Sequence, residues 1–219
     1  MDLSLFRDRA FAFGTLASFL NAVARMGIVF LVALYFQAVR GEDPVQAGLR
    51  VLPLAVAALA ASVGSGFLQR LLSARTLAMA GAATTTCGLL VLFATMSPAT
   101  PYAAMAVALV LIGLGSGVFL PANNTAILHG LPSARLGIVN AMRLMLQNTG
   151  NVVGTALVLS IITAPLPAAL HARVFAGTLS QLTGGAVGQL VTGYRWALAS
   201  MAAVSVLTVL ACLARRRDT

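Results

Sequence analysis

The sequence predicts an all-α membrane protein in which six helices cross the bilayer. Only 9% of the 219 residues are charged and 59% are hydrophobic, whereas a soluble domain carries roughly 25% charged residues. The apolar residues also gather into six runs, each near the length of about 20 residues that a helix needs to cross about 30 Å of hydrocarbon. The spans must be helical, because an open sheet would leave backbone groups unpaired in lipid.

Segments with turn residues and charges separate the six runs, as in "VRGEDPVQ", "SPATP" and "HGLPSAR". The last separator, residues 164–195, begins "APLPAALHARVF" and contains "TGGAVGQ". It is too polar and glycine-rich to span, so we expect an extracytoplasmic segment that holds at most a short interfacial helix. The predicted spans are residues 10–38, 49–68, 76–96, 102–128, 136–163 and 196–213.

The arginines predict the orientation of the chain. A net charge of +9 would suggest a nucleic-acid partner in a soluble protein, but here arginines that anchor cytoplasmic loops explain it. With both termini in the cytoplasm, the inside holds Arg7, Arg9, Arg70, Arg75, Arg135, Arg215, Arg216 and Arg217, and the outside holds Arg40, Arg50, Arg173 and Arg195. This excess inside predicts a multi-pass protein of the cell membrane with cytoplasmic termini and no nucleic-acid partner.

The first span carries a polar stripe. Gly14, Ser18, Asn21 and Arg25 follow spacings of 4, 3 and 4, which places them on one helical face. Arg25 lies near the middle of the span, and facing it to lipid would cost at least about 3 kcal/mol. We therefore expect it to face a wet cavity or a polar partner. The alternative is a structural arginine that bonds to carbonyls of a broken helix.

The fourth span, which contains "LIGLGSGVFLPANNTAIL", combines three glycines with a proline. Pro121 cannot donate to the carbonyl of Gly117, so a kink is expected there. Gly113, Gly115 and Gly117 would make this segment thin and deformable. Such a helix can expose backbone to a ligand, and it can equally serve close helix packing.

The fifth span carries the second polar stripe. Asn140, Arg143, Gln147, Asn151 and Gly154 follow spacings of 3, 4, 4 and 3. Four polar side chains on one face are costly in lipid, so this face is predicted to look inward. Gly150 forms a GxxxG pair with Gly154, where another helix can approach closely. Hydrogen-bonded packing alone could explain Gln147 or Asn151, but it explains the whole stripe less well.

Several absences exclude other classes of protein. All five acidic residues lie in ends or loops, so no carboxylate inside a span can carry a proton. His129 and His171 fall on opposite sides of the membrane, and Cys87 and Cys212 lie in apolar runs where packing explains them. The chain has no lysine, so no phosphate-binding loop that ends in lysine is present. We expect no metal, no cofactor and no enzymatic activity.

Four segments match a known family of membrane transporters in order and spacing. They are "DLSLFRDRAFAFG", "YFQAVRGEDPVQAGLRVLP", "GLGSGVFLPANN" and "LPSARLGIVNAMRLMLQNTGNVVGTAL". Through them nearly the whole chain resembles the C-terminal half of a major facilitator superfamily transporter. The closest resemblance is to the fourteen-span multidrug efflux group, the drug:proton antiporters.

The resemblance implies a six-helix bundle built from two three-helix inverted repeats. In that fold the first, second, fourth and fifth spans line the central cavity. The loop "GFLQRLLSAR" corresponds to the family's cytoplasmic gate loop, where Gly66, Arg70 and Arg75 match but the family's acid is missing. The resemblance covers the family's second bundle, whereas the proton-coupling acid belongs to its first bundle, so we expect a separate N-terminal half-bundle or a second copy as partner.

Together these observations predict a membrane transport protein that exports amphiphilic compounds by alternating access. The expected substrate-cavity residues are Asn21, Arg25, Arg143, Gln147 and Asn151. With two arginines and no acid, this half should favour neutral or anionic groups. The alternative hypothesis is a truncated, non-transporting membrane protein that acts only as an interaction or assembly partner.

Overall fold

The computed structural model describes residues 9–97, 100–129, 133–165 and 184–214, with side chains from Phe11, Leu136 and Val191 onward in the helices that open three of these ranges. These residues are helical apart from short turns, and the described part of the chain contains no strand. The helices are α1 (Arg9–Ala38), α2 (Pro44–Leu68), α3 (Ala74–Thr95), α4 (Tyr102–Leu128), α5 (Ser133–Thr163) and α6 (Gly184–Ala214).

All six described helices are long and apolar enough to cross a membrane. The predicted fold class, an all-α protein with six transmembrane helices, is therefore confirmed. The least buried spans are α2 and α5. In the 18-residue apolar stretch of each helix, 17% of the residues of α2 and 22% of those of α5 are buried inside the bundle, against 61% for α1. Hence α1 lies at the centre, while α2 and α5 present most of their surface outward.

The second and third helices begin before their apolar runs, because capping residues set their starts. Asp43 accepts hydrogen bonds from the backbone amides of Val45 and Gln46, and Pro44 occupies the first helical position. Ser73 caps α3 through the amide of Thr76. Capping satisfies backbone donors irrespective of side-chain hydropathy, so helix length exceeds the length of the hydrophobic run.

The last helix begins at Gly184, well before the predicted start of the span at residue 196. Packing stabilises the part of this extension next to the predicted span. The ring of Tyr194 is 1% exposed and meets Tyr35 edge-on, with 5.6 Å between ring centroids. Gly193 lies directly against the backbone of Ile162 on α5. Residues 184–195 of the predicted extracytoplasmic segment are thus part of α6, and residues 166–183 lie outside the described residues.

The helix contacts support two three-helix repeats. The most extensive contacts join α4 to α2 and α3, and α1 to α5 and α6. In two such repeats α1, α2 and α3 correspond to α4, α5 and α6. The α1–α5 contact then corresponds to the α4–α2 contact, and the α1–α6 contact corresponds to the α4–α3 contact. Three consecutive spans reverse the direction of the chain, so the two repeats are inverted with respect to each other. The α5–α6 and α1–α2 contacts depart from this symmetry by being closer than their counterparts.

Glycines set the closest approaches around α4. Gly113 and Gly117 lie against the carbonyl oxygens of Leu54 and Ala58 on α2, and Gly115 lies against Thr85 on α3. A Cβ at any of the three would collide with backbone of the facing helix. The glycines therefore act in helix packing, the second of the two roles considered for them. The helix itself is continuous through Pro121.

Candidate functional site

Arg143 on α5 is the centre of a buried polar cluster. Its Nη1 donates to Oδ1 of Asn124 at 2.6 Å and to Oε1 of Gln147 at 3.4 Å, and its Nη2 donates to Oδ1 of Asn140 at 2.8 Å. The side chain is only 7% exposed, and its Nε is buried without a hydrogen-bond partner. The structure thus joins three members of the predicted α5 stripe through a guanidinium surrounded by neutral amides.

Asn124 was not among the predicted site residues, although it makes the shortest bond to Arg143. Its neighbour Asn123 donates through Nδ2 to the carbonyl of Gly14 at 2.9 Å and to Oγ of Ser18 at 2.8 Å. Gly14 and Ser18, the first two residues of the α1 stripe, therefore face α4. Two consecutive asparagines in an apolar span were a signal for this role, because burying an amide in lipid is costly without partners.

Asn21 and Arg25 continue the α1 stripe towards the middle of the bundle. Asn21 is 1% exposed, and its Oδ1 has no hydrogen-bond partner. Arg25 is partly exposed, yet its Nε is buried and also unpartnered. No described hydrogen bond connects either residue to the Arg143 cluster. The structure therefore separates the predicted cavity residues into an Arg143 cluster and a second group on α1.

The close packing of α1 on α5 fixes the relative heights of the two stripes. Gly150 lies against Phe19 and Gly154 lies against Val23, so the helices run parallel. Asn21 and Asn151 are consequently at similar depth. Arg143 lies eight residues before Asn151, which corresponds to about 12 Å along the helix. The polar groups are spread along the bundle axis over more than two helical turns.

Unpaired buried polar atoms concentrate on the two stripes. In the described part of the chain, six buried side-chain atoms have no hydrogen-bond partner. Four of them belong to predicted cavity residues, namely Asn21 Oδ1, Arg25 Nε, Arg143 Nε and Asn151 Oδ1, and the other two belong to Thr15 and Tyr194. Buried polar groups in proteins are nearly always hydrogen-bonded. These atoms therefore mark the positions where a ligand, water or another bundle can complete the site.

The opposite end of the bundle contains a second arginine cluster. Gly41, with φ of 67°, turns the chain after α1 and brings Glu42 towards α2. Arg50 donates through Nε to both carboxylate oxygens of Glu42 at 3.1 Å, and its Nη2 lies 3.0 Å from Oε1. The guanidinium also lies 4.5 Å from the ring centroid of Tyr102, whose hydroxyl donates to the Arg50 carbonyl.

The predicted gate-loop residues lie on the surface. Gly66, Arg70 and Arg75 are exposed, and the guanidinium of Arg70 lies 5.6 Å from the ring centroid of Phe67. Arg70 thus stacks on its own helix end and does not meet the Arg143 cluster in any described contact. Within the described ranges, no group of three or more His, Cys, Asp or Glu residues could hold a metal ion.

Comparison with protein families identifies one match. A model described as the Major Facilitator Superfamily matches residues 2–155, more than half of the chain. This range includes α1 to α4 and most of α5. Every residue of the Arg143 cluster and of the α1 stripe therefore lies inside the matched region.

Several curated proteins are similar to this chain. The multidrug efflux pump LfrA of Mycolicibacterium smegmatis is 30% identical over 164 residues, which is 75% of this chain and 32% of LfrA. The methylenomycin A resistance protein of Streptomyces coelicolor is 29% identical over 161 residues, covering 71% of this chain and 33% of the relative. The multidrug resistance protein Stp of Mycobacterium tuberculosis is 31% identical over 171 residues, covering 78% and 32%. The chain spans about a third of the length of these relatives.

Proposed function

This chain belongs to the Major Facilitator Superfamily, and from that premise we propose that it is the C-terminal six-helix half of a multidrug efflux permease. Family membership and the multidrug efflux relatives make it a membrane transport protein. The finer proposal is that it exports amphiphilic compounds, with Asn21, Arg25, Arg143, Gln147 and Asn151 facing the substrate pathway. The position of the chain in the membrane would have both termini in the cytoplasm.

One observation carries this proposal, the concentration of unpaired buried polar atoms on α1 and α5. A structural role alone would leave these atoms unsatisfied, and each unsatisfied group costs about 1–3 kcal/mol. A pathway for polar or charged groups of a substrate removes that cost while the substrate or water is bound. The two helices that carry the atoms are also packed directly on each other through Gly150 and Gly154, so their polar faces share one side of the bundle.

Alternating access requires a second bundle for this one to move against. We propose a separate N-terminal half-bundle or a second copy of the chain as that partner. The low burial of α2 and α5 supports this idea, because these helices keep most of their surface available. The bilayer would cover the remaining apolar surface of the bundle.

Cysteine accessibility in liposomes tests whether the stripes face an aqueous pathway. In a chain with Cys212 replaced by serine, single Asn21→Cys and Asn151→Cys substitutions should react with a small charged thiol reagent, and an amphiphilic dye should protect them. The native Cys87 supplies the matched control, because it is exposed on the outer side of α3 and would face lipid. Equal reactivity of all three thiols, or reaction at Cys87 alone, would contradict a pathway along α1 and α5.

A further inference from the structure

We propose that Arg143 is the receptor for the carboxylate of an anionic amphiphile. This inference rests on the proposed transport function and names the chemical class of substrate that the Arg143 cluster recognises. The observation behind it is the set of hydrogen bonds around the guanidinium of Arg143, a residue that is 7% exposed.

The donors of Arg143 can be counted. A guanidinium has five N–H groups, and it stays charged at any accessible pH. Nη1 donates to Asn124 and Gln147, and Nη2 donates to Asn140. Nε–H is buried and has no partner. Nε and Nη2 flank the edge of a guanidinium on which a carboxylate can accept two parallel hydrogen bonds. Because Nε is buried, a carboxylate reaches that edge of Arg143 only when the neighbouring side chains move aside.

The chain itself shows how that edge binds a carboxylate. Arg50 holds Glu42 through Nε, at 3.1 Å to both oxygens, and through Nη2, at 3.0 Å to Oε1. On Arg143 the Nε has no partner and Nη2 donates to Asn140. Within the described residues, Arg50 therefore has a carboxylate partner and Arg143 has only amide partners.

No described acidic residue competes for Arg143. Of the five acidic residues, Glu42 and Asp43 lie in the described part of the chain. Glu42 is paired with Arg50, and Asp43 caps α2. The three side chains that do contact Arg143 are amides, which orient the guanidinium through their oxygens without neutralising its charge. The cluster is thus an oriented positive charge in need of an anion.

The surroundings of the cluster favour an amphiphile over a small anion. Asn124, Asn140 and Gln147 are each partly exposed, so a ligand can approach the guanidinium across them. Leu144, which follows Arg143 on α5, is 44% exposed and offers apolar surface for a hydrocarbon tail. A carboxylate with an apolar tail would satisfy the fork and cover this surface, whereas acetate or inorganic phosphate would satisfy the fork alone.

Thermal unfolding of the purified chain in a non-ionic detergent tests the proposal, because a ligand that binds only the folded state raises Tm. Octanoate should raise Tm in a saturable way. Acetate and inorganic phosphate should do so only at roughly tenfold or higher concentration, and octyltrimethylammonium should not raise it at all. Equal potency of acetate or phosphate would overturn the amphiphile assignment, and stabilisation by the cation would overturn the carboxylate assignment.

The decisive variant supplies the missing carboxylate from within. Asn124→Asp places a carboxylate where Oδ1 already accepts from Nη1 at 2.6 Å, so the arginine is neutralised without loss of the hydrogen bond. We expect the concentration of octanoate needed for a given Tm shift to rise by roughly tenfold or more. Asn148→Asp is the matched control, because Asn148 is an exposed asparagine on the same helix with no described contact to Arg143. An unchanged octanoate response in Asn124→Asp would overturn the proposal.

Arg143→Gln completes the series and should abolish the octanoate response, while Arg195→Gln, which removes an exposed arginine, should keep it. If Arg143→Gln does not unfold cooperatively, Asn124→Asp still decides the question. The binding assay needs neither a partner bundle nor transport. Octanoate binding without aqueous labelling of the stripes would therefore refute the transport pathway and leave this site standing, and the reverse pattern would refute the site alone.

Discussion

Arg50 and Arg143 lie at opposite ends of the bundle, and their guanidinium groups are held by different kinds of partner. Arg50 is paired with Glu42, eight residues earlier in the chain, and lies over the ring of Tyr102. Arg143 is held by three amides from α4 and α5 and keeps an unpartnered Nε. Within the described residues, one arginine is therefore paired with a carboxylate, whereas the other is surrounded by neutral amides, and we propose that an anion completes it.

Further contacts support the Arg50 end. Tyr35 donates to the carbonyl of Ser97 at 3.0 Å and packs edge-on against Phe36 and Tyr194, and Arg40 donates to the carbonyl of Thr100. These contacts connect the end of α1 to the α3–α4 turn and to α6. The comparison therefore predicts a fixed Arg50 end and a ligand-responsive Arg143 end, and the following experiments can break or sharpen it.

The largest expected effect concerns proton coupling. Reconstituted alone in liposomes with an imposed pH gradient, the chain should show no gradient-driven movement of amphiphilic dyes, because the predicted spans hold no carboxylate to carry a proton. Dye flux with and without the gradient measures this. Clear pH-driven transport by the purified chain would contradict this expectation, because it would require a titratable group on the pathway.

An all-or-none labelling pattern is expected for the two ends of the bundle. Exposed Ser73, in the α2–α3 turn, and exposed Ser97, in the α3–α4 turn, mark opposite ends. In cells, with Cys87 and Cys212 replaced, an impermeant thiol reagent applied outside should label Ser97→Cys and spare Ser73→Cys. The opposite result would invert the topology and place the Arg143 end outside.

Loss of folding is expected when the α1–α5 contact is widened. A side chain at Gly154 would collide with the carbonyl oxygen of Val23, so Gly154→Val should destabilise the chain by about 3 kcal/mol or more. Gly137→Val, on the same helix with open space around it, should cost less than about 1 kcal/mol. Tm and the monodisperse fraction after purification measure both. Equal behaviour of the two variants would show that α1 does not support the helix that carries Arg143.

The smallest expected effects have opposite signs at the two arginines. Glu42→Gln removes the carboxylate from Arg50, whose side chain is 41% exposed, and should lower Tm only slightly because solvent screens this pair. Asn124→Asp adds a carboxylate to Arg143 and should raise stability by about 1–2 kcal/mol, since that arginine is buried. Paired Tm measurements check the signs. A stabilising Glu42→Gln, or a destabilising Asn124→Asp, would remove the distinction between a complete and an incomplete cluster.

Sequence patterns predicted most of the fold because each pattern reports a local property. Low charge and six apolar runs indicated lipid as the solvent and hence helices, and spacings of three and four showed that Arg143, Asn140 and Gln147 share a face. The structure places these three side chains in one hydrogen-bonded cluster. The proposed role of this face in substrate binding stays a prediction.

Tertiary structure alone decided which groups meet across helices. Asn124 reaches Arg143 from α4, and Asn123 reaches Gly14 and Ser18, because antiparallel packing brings distant parts of the chain to the same depth. Helical periodicity defines a face but does not specify which helix lies opposite it. The early start of α6 could likewise not be predicted from the sequence, because Tyr194 packs against Tyr35, which is distant along the chain.

The sequence by itself determined that the chain has six apolar helices, that two of them carry polar stripes, and that no acid lies within a predicted span. Only the tertiary structure decided that Arg50 has a carboxylate on its Nε–Nη2 edge and that the Nε of Arg143 has no described partner. The physical reason is that composition and periodicity are fixed along the chain, whereas hydrogen-bond completion depends on which atoms packing brings within about 3 Å of each other.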